Sequence, residues 1–212
     1  MLLELLRKNR SFFVPYVLVL IWVGVLQLLY TQEQLMQWIN ARNTLAADLL
    51  FPYITYLGDG IIYVLLGLAL LFYNRRIGLM ALASFVLSSL TSEFFKKIIF
   101  TNSLRPLKFF EYSPYKYHTI EGLDIHSYNS FPSGHTTTAF AMFSLLTFLD
   151  DRKGRGGVFL SLAILTGYSR VYLFQHFVED AYVGSLIGTI SSIIVYLLMI
   201  RWATKKENLA DN

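Results

Sequence analysis

Three short runs hold the residues of this sequence that could do chemistry. The first is Lys96-Lys97, followed by Arg105-Pro106. The second is Phe131-Pro132-Ser133-Gly134-His135. The third is Ser169-Arg170, then His176, then Asp180. His176 and Asp180 are four apart, so on a helix they share one face. A carboxylate so placed can hold one imidazole nitrogen, fix the tautomer and leave the other nitrogen to attack. Pro132 suits a helix start, where its missing N–H would have no partner anyway. The amides of Ser133, Gly134 and His135 would then form an anion site together with the helix dipole, and Gly134 would let a ligand approach the backbone. Cations for oxyanions, a nucleophile and an acid together suit a phosphate group. Taken singly, each run also reads as ordinary structure: snorkelling lysines, a capped helix, a structural His–Asp pair.

The elements that position these runs follow from composition. Of 212 residues 55% are hydrophobic and 15% charged, with no cysteine; the mean hydropathy is +0.48. A soluble domain carries about 25% charged residues, and a disordered chain needs low hydrophobicity, so both classes are excluded. Without cysteine there is no disulfide framework, zinc–thiolate site, iron–sulfur cluster or thiol nucleophile. Six segments approach the roughly 20 apolar residues of a membrane span: 12–30, 53–73, 77–95, 134–149, 157–173 and 177–200. The first follows basic residues as a signal peptide would, but its apolar run is too long and no cleavage site follows, so it reads as a retained helix. The fourth and fifth are short and carry hydroxyls, as helices inside a bundle do. The expectation is an all-α, six-transmembrane-helix bundle forming one domain over 1–212.

Basic residues orient the bundle. Arg7, Lys8, Arg10, Arg75, Arg76, Arg152, Lys153, Arg155, Arg201, Lys205 and Lys206 would lie on one side, eleven of the 18. The positive-inside rule then makes both termini cytoplasmic. Loops 31–52 and 101–133 and the turn near 174–176 face the other compartment. The outer end of the third span, the start of the fourth and the fifth–sixth turn therefore meet at one outer membrane–water interface, which brings the three runs into one site. Loop 101–133 is long and aromatic, which reads as an interfacial belt or as a lid guiding a lipid head group. The net charge of +4 then reflects orientation and calls for no nucleic-acid partner.

Lys-x7-Arg-Pro, Pro-Ser-Gly-His and Ser-Arg-x5-His-x3-Asp resemble the three signature motifs of the type 2 phosphatidic acid phosphatase (PAP2) family. The second and third match residue by residue. The first departs, because the family has six residues between Lys and Arg-Pro, whereas Lys97 leaves seven and Lys96 eight. The resemblance implies a metal-independent phosphatase, without cofactor, that works through a phosphohistidine. In it His176 attacks phosphorus, Asp180 orients His176, and His135 protonates the leaving oxygen and then assists water. Arg105, Arg170, Ser133, Gly134 and either Lys96 or Lys97 hold the phosphate oxygens. A pairing of Glu93 with Lys97 would leave Lys96 for the phosphate. The implied substrate is a membrane lipid phosphate or diphosphate, such as undecaprenyl diphosphate, phosphatidylglycerol phosphate, phosphatidic acid or a lipid A phosphate. The implied setting is a bacterial inner membrane with a periplasm-facing site.

Rival readings are a lipid phosphotransferase that uses the same intermediate, a catalytically dead lipid-binding protein and a lipid transporter. Transporters usually place their charges at the midplane, whereas here they gather at one face. Asp59 could line the site or simply end a helix. His118, His126 and Asp124 match no recognised metal-ligand spacing. Gly184 and Gly188 form a small-xxx-small pair, suited to close packing within the bundle or in a homodimer.

Overall fold

The computed structural model describes residues 1–150, 152 and 154–210, and side chains through residue 200. Lys153 and the side chains of Arg201, Lys205 and Lys206, which entered the orientation argument, lie outside the described residues.

The fold is all-helical. A short α1 (Leu2–Lys8) is separated from α2 (Arg10–Leu29) by Asn9, which is buried and donates its side-chain amide to Leu5 O at 2.9 Å. The stretch expected as outer loop 31–52 instead holds two helices. α3 (Gln32–Asn40) starts at a capping box in which Thr31 and Gln34 satisfy each other's backbone amides, and α4 (Leu45–Ile54) is capped by Thr44. The capping box was legible as a Thr-x-x-Gln pattern, but the polar composition of 31–44 masked it. α4 continues through a 3₁₀ turn (Thr55–Gly58) and then bends by 50° into α5 (Gly60–Tyr73). The second expected span therefore starts eight residues earlier than Tyr53 and is broken at Asp59, which caps α5 through Ile61 N at 2.7 Å. α6 (Arg75–Phe94), capped by Asn74, ends in a π turn over Phe95–Ile99. A one-turn α7 (Pro106–Phe109) lies in the long loop. α8 (Gly134–Leu149), α9 (Arg155–Tyr172) and α10 (Val178–Ala210) complete the chain.

α8 is the centre, with twelve of its 16 residues buried. It packs against α10, α9 and α6. A helix covered on every side needs no apolar stripe, only small residues and satisfied hydroxyls. Thr137, Ser144 and Thr147 each donate to the carbonyl four residues back, at 2.6–2.9 Å. Across the helices, Ser192 donates to Ala141 O at 2.7 Å and meets Ser84 Oγ at 2.7 Å. A Cβ on Gly188 would run into the backbone at Thr137 O and Ala141 N, and one on Gly184 would stand 2.8 Å from Ser133 O. The small pair in α10 therefore serves contact with α8.

Among the described residues, three single helices have the length and apolarity to cross a membrane: Arg10–Leu29, Arg75–Ile99 and Val178–Ile200. The bent α4–α5 pair makes up to four. α8, at roughly 24 Å, is shorter than the ~30 Å hydrocarbon core. α9 keeps glycines and hydroxyls where it meets α8. α8 is shielded by the other helices, which removes the demand for a continuous apolar surface, whereas α9 keeps an exposed face of Val158, Leu165 and Tyr168.

Candidate active site

The three runs converge where α6 ends and α8 and α10 begin. Arg170 is buried near the end of α9, and its carbonyl accepts the amides of Gln175 and His176 at 3.0 and 3.2 Å. The chain reverses between them with Phe174 in a left-handed conformation (φ 59°). The five-residue spacing between Arg170 and His176 is the length of this closed turn, which delivers His176 to the start of α10. There Asp180, in the first turn, brings Oδ2 to 3.3 Å from His176 Nδ1. The same oxygen accepts Phe177 N at 2.9 Å and a short hydrogen bond from Ser130 Oγ. Asp180 O accepts Ser133 N at 3.0 Å, tying the start of α10 to that of α8.

His176 is 1% exposed. Its Nδ1 faces the carboxylate, and Nε2 has no protein partner among the described residues. Burial, then the positive charges of Arg105, Arg170 and Lys96, hold this imidazole well below the ordinary histidine range. A neutral ring with one nitrogen oriented and the other open is the form a nucleophile needs.

At the head of α8, Ser133 Oγ accepts from Thr136 N and from Thr136 Oγ1, which leaves its own hydroxyl proton to donate elsewhere. Ser133 O takes the Thr137 amide. The amides of Gly134 and His135 meet no protein acceptor among the described residues, and neither ring nitrogen of His135 does. These are the donors of an anion site at a helix N-terminus.

The cations stand around it. A Cβ on Gly134 would lie 3.8 Å from Lys96 Nζ. The Lys96 side chain is 13% exposed, whereas Lys97 is 71% exposed and pairs with Glu93 at 2.8 Å. Of the two lysines, the structure therefore brings Lys96 to the site. The π turn over Phe95–Ile99 widens the helix by one residue at this point, which takes up part of the longer Lys-to-Arg spacing.

Arg105 is held by Tyr128 O on Nε (2.9 Å) and by Gln175 O and Oε1 on one terminal nitrogen (3.2 and 3.1 Å). Arg170 donates to Thr55 Oγ1 at 2.8 Å, and its buried Nε has no protein partner. The bend between α4 and α5 thus reaches the site twice, through Thr55 and through Gly58, where a Cβ would strike His135 O. Ser130, Thr55 and Gln175 carry no sequence signal beyond their type. Each acts through a partner 46 or more positions away, a separation that local spacing does not encode.

Other sequence candidates lie elsewhere. His118 Nε2 sits 3.0 Å from both Asp48 carboxylate oxygens, of which Oδ1 also accepts from Tyr172 Oη at 2.6 Å. Among the described residues no group of three or more His, Asp or Glu is arranged to hold a metal ion. In loop 101–133, Phe110 and Tyr117 pack on Phe174 and Phe177, the residues flanking the His176 turn. Tyr112 stays 91% exposed. Only part of the aromatic loop is therefore available for an interfacial belt.

The model of the PAP2 superfamily matches residues 77–203, which contain all three runs. The chain belongs to the PAP2 superfamily. It is 36% identical over 111 residues to undecaprenyl-diphosphatase BcrC of Bacillus subtilis, an overlap covering 52% of this chain and 54% of that protein. It is 30% identical over 130 residues to a lipid A 1-phosphatase of Rhizobium johnstonii, covering 61% and 50%. The chain thus spans about half the length of the curated relatives it matches. The crystal structure of LpxE from Aquifex aeolicus is similar over 77% of this chain and 93% of its own, with 27% identity and a TM-score of 0.66. The resemblance carried by the motifs and that carried by the backbone thus point to one superfamily. The matched region begins within α6, and the bend between α4 and α5 brings Thr55 and Gly58 to the site from outside it.

Proposed function

We propose that this chain is a membrane lipid phosphatase that hydrolyses a phosphomonoester or diphosphate at the outer interface of a bacterial inner membrane. The observation that carries this reading is the convergence around the start of α8. Two buried arginines, Lys96 and two open backbone amides surround a point next to a neutral His176 and an unpartnered His135. A transferring phosphoryl group spreads charge over three equatorial oxygens, and this donor set meets that demand with protein groups alone.

In the proposed reaction His176 Nε2 attacks phosphorus while Asp180 holds the proton on Nδ1. The bond from phosphorus to the leaving oxygen, the lipid alcohol's in a monoester or the bridging oxygen of a diphosphate, breaks as His135 delivers a proton to that oxygen. The phosphohistidine is then attacked by water, whose proton returns to His135, and inorganic phosphate leaves. Six helical crossings, with α8 and α9 counted among them and both termini cytoplasmic, would place this site on the periplasmic face.

The relatives include an undecaprenyl-diphosphatase and a lipid A 1-phosphatase. These support a lipid with a terminal phosphate or diphosphate as substrate.

The test is phosphate release by the purified protein from a panel of undecaprenyl diphosphate, phosphatidylglycerol phosphate, phosphatidic acid and lipid A, with and without EDTA. Release from at least one of them is expected, unchanged by EDTA and abolished in His176→Ala and His135→Ala. Wild-type rates in His176→Ala would overturn the nucleophile, and loss of activity in EDTA would overturn a mechanism built from protein groups alone.

A further inference from the structure

Away from the phosphate site, α2 has buried residues only in its first two turns. Its buried residues are Phe12, Phe13 and Tyr16, whereas Val17, Leu18, Ile21, Trp22 and Val25 are exposed. Beyond Tyr16 a wedge opens between α2 and the α9–α10 pair. At its floor Tyr16 Oη meets Ser185 Oγ at 3.1 Å, and Trp38 and Ile39 of α3 lie across its top. The wedge is a cavity of about 380 Å³ with apolar walls, among them Leu20 and Val23 of α2, Phe140 of α8, Ile164 of α9 and Ala181 of α10. A second cavity of about 520 Å³ adjoins it, lipped by Tyr30, Gln34, Gln37 and Tyr115. Leu26, Leu35, Trp38 and Arg42 line both.

Arg42 is the one charged residue lining either cavity. Its guanidinium lies 4.1 Å over the Trp38 ring and donates to Trp38 O at 2.6 Å, and no described carboxylate stands within ion-pair distance. The cation is thus pre-positioned against an aromatic plane, its charge unmatched, at the junction of an apolar slot and a polar-lipped cup. An apolar slot takes a hydrocarbon chain, and an unmatched guanidinium takes a phosphate. An anionic phospholipid joins the two in one molecule.

The wedge is also separate from the catalytic centre. Gly167 brings α9 so close to α8 that a Cβ there would stand 3.1 Å from Thr136 Cγ2. Gly184 does the same for α10 against Ser133 O and Thr137 Oγ1. The three helices therefore meet without room for a side chain, and no candidate catalytic or phosphate-binding residue lines either cavity.

We propose that these joined cavities bind one anionic phospholipid of the surrounding bilayer, with its phosphate on Arg42 and an acyl chain in the wedge between α2 and α9–α10. The site is independent of the reaction assigned above.

The experiment is native mass spectrometry of the delipidated protein in detergent, titrated with equal amounts of phosphatidylglycerol and phosphatidylcholine. A one-lipid adduct favouring phosphatidylglycerol is expected. Arg42→Gln should reduce that preference roughly tenfold, the loss of one charge-assisted contact. Val23→Trp, which adds bulk to the α2 wall of the wedge, should lower adducts of both lipids. His176→Ala should leave the adduct unchanged. Equal retention of the two lipids, or a preference that Arg42→Gln leaves intact, overturns the proposal. So does an undiminished adduct in Val23→Trp, or one lost in His176→Ala, which would place the lipid in the catalytic centre.

Discussion

At the residue scale, the His176–Asp180 pair depends on a third group. Asp180 Oδ2 serves His176 Nδ1, the Phe177 amide and the Ser130 hydroxyl, so Ser130 helps decide where the carboxylate points. A hydrogen bond to a charged group is worth about 1.5–3 kcal/mol. Ser130→Ala should therefore cut kcat for phosphate release by about tenfold to a hundredfold, with little change in KM, because Ser130 reaches the substrate only through Asp180 and His176. Ser130→Thr keeps the hydroxyl and should restore most of the rate. A Ser130→Ala enzyme with unchanged kcat, or one whose loss lies wholly in KM, would remove Ser130 from this positioning role.

At the element scale, much of the site was legible because its motifs are local. Pro-Ser-Gly-His marks a helix start, and α8 begins at Gly134 and ends at Leu149 as the apolar run indicated. The i, i+4 spacing of His176 and Asp180 likewise needs only one helical turn. The bend at Asp59 and the π turn at Phe95–Ile99 were not legible, because both are backbone adjustments to distant packing. The bend lets Thr55 reach Arg170. Lys96 and Lys97, neighbours about 100° apart on a helix, face inward and outward, and so carry opposite expectations. Lys96→Ala removes an inward cation beside Gly134 and should lower kcat/KM by about a hundredfold, the scale of one lost transition-state donor. Lys97→Ala breaks an exposed pair with Glu93, worth ~0–1 kcal/mol, and should leave kcat/KM within about twofold. Equal losses in the two variants would mean that Lys96 is not the lysine set apart for the phosphate.

At the scale of the whole molecule, orientation joins the fold to the function. Eleven basic residues were assigned to one face by the hydropathy pattern, and the three chemical runs to the other. The structure adds that the runs share one end of the bundle with loop 101–133, whose Phe110 and Tyr117 pack on the turn that carries His176. The α8–α9 connection leaves from the opposite end of α8. If the positive-inside rule governs this chain, that connection is cytoplasmic and loop 101–133 lies outside. The absence of cysteine makes the sequence a ready background for a direct test. Tyr112 is 91% exposed in the long loop, and Arg152 lies in the α8–α9 connection with its side chain 70% exposed. Tyr112→Cys should react with a membrane-impermeant maleimide on cells whose outer barrier alone has been opened. Arg152→Cys should react only after the inner membrane is permeabilised. Removing one of eleven basic residues leaves the charge asymmetry in place, so the second variant still reports the native orientation. The reverse labelling pattern would put the phosphate site on the cytoplasmic face. Lipid phosphates exposed to the periplasm could not then be its substrates, whatever the purified enzyme hydrolyses.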